Sequence, residues 1–399
     1  MKIERFTGIN NRQPIDRMKP DEGGGMPVRD AVNVDLSSVG TFQTRQGFTP
    51  SVEVTEARSA FTVDDTGGLL AVGDELHRFD GSALTKIDDL GSSFARVAYA
   101  RTPLGIVWSD GYVTKLVKNW TSGRLLPADP NPLPVVSVAS GGSLPAGTYG
   151  VSFCSVLPDG RRSPMSYPLT LDLIENTRIT VNVGAQPNPV QVFVSAPNGS
   201  VLYFQGQASS GELNIALHNA GGEPVRYEVE FELPASRILA FRNGRLFAAS
   251  GSMVYYTQPW SFLFRPMSDY IPLNEEIRLL AAVDAGVFIA TESKTWFLAG
   301  EPQEASMTEV APYGAVEGTL TEVPNSTDLM WFTPRGQLRA TQSGEFTLLQ
   351  DKQIQFPKAS SGASVYREFN GMRQHITTLA EPVPTGSAVA RSFMTFMET

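Results

Sequence analysis

Between Ser236 and Gly300 the chain alternates short apolar runs with tight-turn signals, and then begins the same scheme again. Ile238–Phe241 is one apolar run, and Asn243-Gly244 is a turn whose residue types tolerate positive φ. Leu246–Ala249 follows, then a break at Gly251-Ser252, then Met253–Tyr256. Ile277–Val283, Val287–Thr291 and Thr295–Leu298 repeat the pattern, with Asp284-Ala285-Gly286 and Glu292-Ser293-Lys294 at the turns. Each unit reads as a meander of three or four short strands. The restart from Arg237 to Ile277 gives a period of 40 residues (277 − 237), inside the roughly 40–50 residue window of propeller blades. One meander leaves both of its faces bare, so it must pack face to face against copies of itself. The pattern predicts an all-β fold, a β-propeller, and leaves the chemistry open.

Weaker copies flank this stretch. Leu69–Val72, Gly73-Asp74, Leu76–Phe79 and Asp80-Gly81 form one, and Arg96–Ala100, Gly105–Trp108, Asp110-Gly111 and Tyr112–Val117 another. Leu329–Phe332, Gly336 and Phe346–Leu349 add a unit, and Tyr366–Ile376 with Ala388–Met397 a last pair of strands. The count is about five or six blades. The rhythm breaks at Pro127–Pro134, where four prolines in eight residues make a stiff linker. After it, Gly147–Phe153, Leu169–Leu173, Ile179–Val183, Val190–Val194, Val201–Phe204 and Val225–Phe231 alternate with turns at Pro158-Asp159-Gly160 and Pro197-Asn198-Gly199. Short strands at this density match an immunoglobulin or fibronectin-like β-sandwich inserted in a blade loop. The expected organisation is an N-terminal arm over 1–50, propeller over 51–127, inserted sandwich over 128–235 and propeller again over 236–399.

Within the arm, Arg29–Asp35 alternates Val32, Val34 and Leu36 with polar residues and reads as a strand, as does Gly40–Phe48. Such a first strand either pairs with the last blade, removing an exposed edge, or packs on a neighbouring subunit.

Chemistry-bearing patterns are sparse. The three histidines, His77, His218 and His375, fall in three separate segments without metal-ligand spacing. There is no Gly-x-Ser-x-Gly elbow or Walker loop, and Gly23-Gly24-Gly25 lacks the strand–helix context of a phosphate cradle. Asp64-Asp65, Asp88-Asp89 and Glu275-Glu276 are paired acids of the type glycosidases use, but they sit beside turns, where solvated charge is the ordinary outcome. The cluster Tyr255, Tyr256, Trp260, Phe262 and Phe264 can be a sugar-stacking platform or, the favoured reading, inter-blade and subunit packing. Arg161-Arg162 reads as a solvated loop-tip pair. Cys154, the single cysteine, lies in the apparent strand Tyr149–Val156 and reads as a buried, inert thiol. Accordingly no catalytic, cofactor-binding or metal-binding residue is assigned, and the chain is read as not an enzyme.

The charge of 32 − 41 = −9 argues against a nucleic-acid-binding surface, yet is compatible with a channel wall to which DNA does not stick. No apolar run approaches the ~20 residues that span a bilayer, and no signal-peptide pattern opens the chain, so synthesis in the cytoplasm is expected.

Gly8–Arg12, Arg29–Asp35 and Thr44–Phe48 resemble the start of bacteriophage and prophage tail proteins. Asn243–Ala249 through Tyr255-Tyr256, Thr295–Gly300 and Ala311–Ala315 are similar to the same group. The resemblance implies a β-propeller nozzle or tail-hub protein of short-tailed phages, a structural virion component at the distal end of the tail. It implies a homo-oligomeric ring, usually of six copies, around the channel through which DNA is ejected. The ring would join a tail adaptor or portal-proximal protein to fibres or spikes, the inserted sandwich being a candidate contact surface. The family has no active-site residues to carry over. The alternative is a carbohydrate-binding or glycan-cleaving propeller in which the acids and Trp260 or Trp296 meet sugar.

Overall fold

The computed structural model describes residues 5–32, 34–37, 40–45, 52–64, 67–91, 96–226, 229–260, 264–304, 306–324, 326–349, 354–356, 358–369, 372–380 and 390–397. Six antiparallel meander sheets follow one another among them. Sheet I comprises Ala57–Asp64, Gly67–Val72, Glu75–Phe79 and Leu84–Asp89, and sheet II Ala98–Thr102, Gly105–Ser109, Thr114–Lys118 and Thr121–Arg124. Sheet III comprises Ile238–Arg242, Arg245–Ser250, Met253–Tyr256 and Tyr270–Pro272, and sheet IV Leu279–Val283, Gly286–Ala290, Thr295–Ala299 and Met307–Ala311. Sheet V is Thr321–Glu322, Leu329–Thr333, Gly336–Ala340 and Phe346–Leu348. Sheet VI has three longer strands, Ser361–Phe369, Met372–Ala380 and Ala390–Met397. This is the all-β, propeller-type architecture that the repeat demands.

The turns form where the residue types permit them. Asn243 and Gly244 take φ of 47° and 75°, the paired positive angles of a two-residue hairpin turn. The inner strands, such as Arg245–Ser250, Gly286–Ala290 and Leu329–Thr333, are short runs buried on both faces. Leu69, Ala71 and Leu76 of sheet I meet Ile106, Trp108 and Val117 of sheet II. Val107 and Leu116 of II meet Leu239, Leu246 and Ala248 of III, and Phe247 and Val254 of III meet Leu280, Val287 and Ile289 of IV. Phe288 of IV packs against Trp331 of V, the rings tilted and 5.5 Å apart between centroids. Phe332 of V packs with Leu379 of VI. Sheets II and III are thus spatial neighbours although more than a hundred residues separate them in sequence.

Those residues form the inserted module, which enters between two meanders rather than within a blade loop. Val135–Leu144, Thr177–Asn182 and Glu212–Ile215 make one sheet, with Val135–Leu144 at its edge. Leu169–Leu173, Gly147–Ser155, Val190–Ser195, Val201–Ala208 and Pro224–Arg226 make the other. Tyr149, Val151, Ile179, Val181, Val192 and Val194 fill the space between them.

In the arm, Arg5–Ile9 pairs in parallel with Gly25–Val28, and Val34–Leu36 forms a hairpin with Phe42–Thr44. Residues 46–48 of the expected second strand lie outside the described residues, and Val32 stands exposed before the first. Among the described residues the arm does not extend sheet VI as a strand. It reaches the C-terminal region through side chains instead. Asn11 Nδ2 donates to the Gln355 carbonyl at 2.9 Å and Asn11 Oδ1 accepts from Gln355 N–H at 2.6 Å. Buried Asp35 lies 3.0 Å from Arg45 and 4.0 Å from Arg367 of sheet VI.

Candidate interaction surface

Of the acids singled out in the sequence, Asp88, Asp89 and Glu276 are ion-paired locally, and the three pairs belong to different elements. Asp88 meets Lys115 at 2.7 Å, Asp89 meets Lys86 at 2.7 Å and Glu276 meets Arg278 at 3.2 Å. Glu275 accepts from Ser293 Oγ at 2.6 Å, which holds its carboxyl below the usual range. Asp65 lies outside the described residues, and Asp64 is exposed at the end of its strand. His77 sits 3.2 Å from Glu75, while His218 contacts the Val194 carbonyl at 3.1 Å inside the sandwich. His375 is buried in sheet VI, where desolvation pulls it down to about 4. Among the described residues no group of three or more His, Cys, Asp or Glu side chains could hold a metal ion. Cys154 is fully buried, and burial pushes its thiol up to about 11, as expected of a packing cysteine.

The aromatic cluster separates by residue. Tyr256 and Phe264 are buried, and Tyr255 is half-buried beneath the Arg265 guanidinium, 4.6 Å from the ring centroid. Phe262 lies outside the described residues. Trp260 is 75% exposed with φ of 62°, an unusual left-handed backbone for a bulky side chain, and its N–H donates to the Gly244 carbonyl at 2.8 Å. Trp296 is half-buried, with Lys294 Nζ 5.5 Å from the centroid of its ring.

Arg161-Arg162 is not a solvated pair. Arg161 Nη1 donates to the carbonyls of Arg124 and Leu125 at 2.9 and 2.7 Å, and its Nε lies 3.0 Å from Asp159. Arg162 forms a two-pronged pair with Glu230, both contacts 3.0 Å, and its guanidinium packs over Phe264 at 4.9 Å. Planar guanidinium–carboxylate pairing fixes direction as well as distance. One turn of the sandwich is therefore bolted both to the strand that enters the module and to the strand that leaves it. The sequence signal was weak because the partners lie 36 to 68 residues away.

The returning strand, Glu230–Glu232, pairs with Phe264–Pro266 as a two-stranded ribbon. Strand alternation sorts its two faces. Glu230 and Phe264 point toward Arg162. Val229, Phe231, Arg265 and Met267 share the other face, with Val229 51% and Met267 71% exposed. Arg265 lies between Phe231, at 5.6 Å, and Tyr255, and Tyr270 continues the apolar surface 6.4 Å from Tyr255. Val229, Pro266, Met267 and the buried Asp269 line a shallow depression beside it. Asp269 accepts from Gln258 at 2.6 Å, and burial raises its carboxyl above the ordinary range. No clustering of this kind could be read from sequence, since it needs the register of strands whose paired residues are 32 to 36 positions apart (264 − 232 and 266 − 230).

No family model matches the chain, and no curated protein matches it significantly. Solved structures do show a distant likeness. BBS1N in complex with ARL6DN is 10% identical with a TM-score of 0.35, over 84% of this chain and 92% of that one. Kluyveromyces lactis Hsv2 is 6% identical with a TM-score of 0.32, over 86% and 98%. The computationally designed Ika8 protein is 11% identical with a TM-score of 0.26, over 81% and 93%. Likenesses this distant carry nothing about function.

Proposed function

We propose that the protein is a structural component of a phage tail, a nozzle or hub that assembles with copies of itself into a ring at the distal end of the tail. It surrounds the channel for DNA and joins a tail adaptor to fibres or spikes. The observation that carries this reading is the bolted junction: Arg161 and Arg162 tie one turn of the sandwich to the segments that enter and leave it, the kind of attachment a load-transmitting part requires. Local neutralisation of the paired acids agrees with it, and so does the net charge of −9, which would keep DNA from adhering to a channel wall. The sequence style of the arm and of the 243–315 region points the same way.

The test is the mass of the purified full chain by light scattering, with negative-stain images, alone and after addition of the tail proteins encoded beside it. Closed rings of several copies are expected. A strict monomer under both conditions overturns the proposal. A second reading, a carbohydrate-binding propeller, rests on exposed Trp260, an available stacking surface. It requires polysaccharide binding that Trp260→Ala abolishes.

A further inference from the structure

We infer that the depression lined by Val229, Gln258, Pro266, Met267, Ser268 and Asp269 receives a lysine side chain carried by a partner protein. Its ammonium sits on the Asp269 carboxylate and its alkyl stem runs along Val229, Pro266 and Met267. Such a contact needs only one copy of this chain and is independent of ring formation.

A carboxylate left over in the local charge balance sets the chemistry. Asp269 is only 4% exposed, and among the described residues none of its contacts is with a cation. Its Oδ2 accepts from Gln258 Nε2 at 2.6 Å and from Gln303 Nε2 at 3.5 Å, while Oδ1 meets Ser268 Oγ at 3.4 Å. The neighbouring guanidinium groups are already spent. Arg245 donates Nε to Glu301, Nη2 to Gln303 and Nη1 to the Thr257 carbonyl, each at 2.9 Å, so it acts on Asp269 only from a distance. Arg265 lies over the Tyr255 ring and donates to the Pro266 carbonyl at 3.2 Å. A carboxylate buried without a cation is costly to keep ionised, and burial accordingly raises its affinity for protons. A cation brought from outside relieves that cost.

One oxygen, Oδ1, is open to it. A guanidinium binds best across two carboxylate oxygens, whereas an ammonium is a point charge that needs one. A hard divalent metal ion collects about six or more oxygens, and among the described residues no group of acids offers them. The walls suit a stem rather than a bare ion, because Val229 and Met267 are apolar side chains 51% and 71% exposed. The depression is too shallow to enclose a free amine, and apolar surface continues from it over Phe231 and Tyr270, themselves 38% and 43% exposed. A lysine with an apolar neighbour in the partner chain covers both surfaces at once.

The test is a nuclear magnetic resonance titration of the full chain, isotope-labelled at its methionine methyl groups, with the Met267 signal identified from Met267→Leu. The probe is the acetylated and amidated tripeptide leucyl-lysyl-leucine, which should shift the Met267 methyl saturably. The same peptide acetylated at its lysine nitrogen should bind about tenfold more weakly or worse, and so should the lysine peptide on Asp269→Asn. Unchanged signals from the other methionines show that this variant is folded. The arginine peptide and n-butylamine should both bind more weakly than the lysine peptide. No saturable Met267 shift, or equal binding of the free and acetylated lysine peptides, overturns the inference even if Asp269→Asn fails to fold. Arginine binding as tight as lysine overturns the one-oxygen contact, and butylamine binding as tight as the peptide overturns a partner-borne lysine in favour of a free amine.

Discussion

At the residue scale, Arg96 and Gly318 show how one position can be decided by another two hundred residues away. Arg96 precedes sheet II, and its guanidinium donates to the Gly318 carbonyl at 2.8 Å and the Gly362 carbonyl at 2.7 Å, at the entries to sheets V and VI. Gly318 has φ of 81°, and a Cβ there would fall on the guanidinium itself. Arg96→Ala removes two charge-assisted hydrogen bonds and leaves two carbonyls wanting, at a cost of about 2–3 kcal/mol. Gly318→Ala should cost at least as much through strain plus displacement of Arg96. Denaturant midpoints of the two variants and the double variant measure this. The double variant should be less destabilised than the sum, since both act on one contact. Trp260 is the opposite case: exposed and in a left-handed backbone, it contributes little to stability, and Trp260→Gly should shift unfolding by no more than ~1 kcal/mol.

At the scale of the element, sheet VI is held to sheet V by a polar seam as well as by Phe332 and Leu379. Gln337 Nε2 donates to the His375 carbonyl and to Thr377 Oγ1, both at 3.3 Å, and Thr377 Oγ1 lies 2.9 Å from Ser364 Oγ. His375 within this seam stays neutral in the folded chain down to about pH 4, because burial disfavours the imidazolium, whereas the unfolded chain takes up the proton near its ordinary 6.5. Its contribution is therefore fully present above about pH 6.5 and is lost as the pH falls toward 4. The loss should reach about 3 kcal/mol at roughly 1.4 kcal/mol per pH unit. Urea melts between pH 4 and 7 should show this slope, and His375→Gln should flatten it. Removing the largest buried ring of the neighbouring sheet, by Trp331→Ala, should cost about 3–5 kcal/mol at any pH.

The elements also mark the limit of legibility. The meander repeat, the Asn243-Gly244 turn and the break at Pro127–Pro134 could be read because short apolar runs and turn residues signal locally. Tyr256 and Trp260 could not be told apart, although one is buried and the other exposed, because both are aromatic residues in one run. Arg161 and Arg162 were misread, and the ribbon face was missed, because their environment is supplied by residues distant in sequence.

At the scale of the molecule, the junction decides whether the propeller and sandwich move as one. Arg162→Ala strands Glu230 half-buried without its partner and should cost about 1–2 kcal/mol, partly screened by solvent. Its larger effect should be on alignment. Limited proteolysis near residues 127–134 should speed up, and imaged particles should show a spread of sandwich orientations instead of one. Arg162→Lys should restore little, since a single ammonium cannot reproduce the two-pronged geometry. The N-terminal arm has a mechanical consequence. Among the described residues it joins the C-terminal region through polar contacts at Asn11, Arg12 and Asp35, whereas the sheets are joined through packed apolar side chains. Polar contacts of this kind part over a shorter displacement than packed side chains, so a pull that separates the arm from the C-terminal region meets its least resistance there.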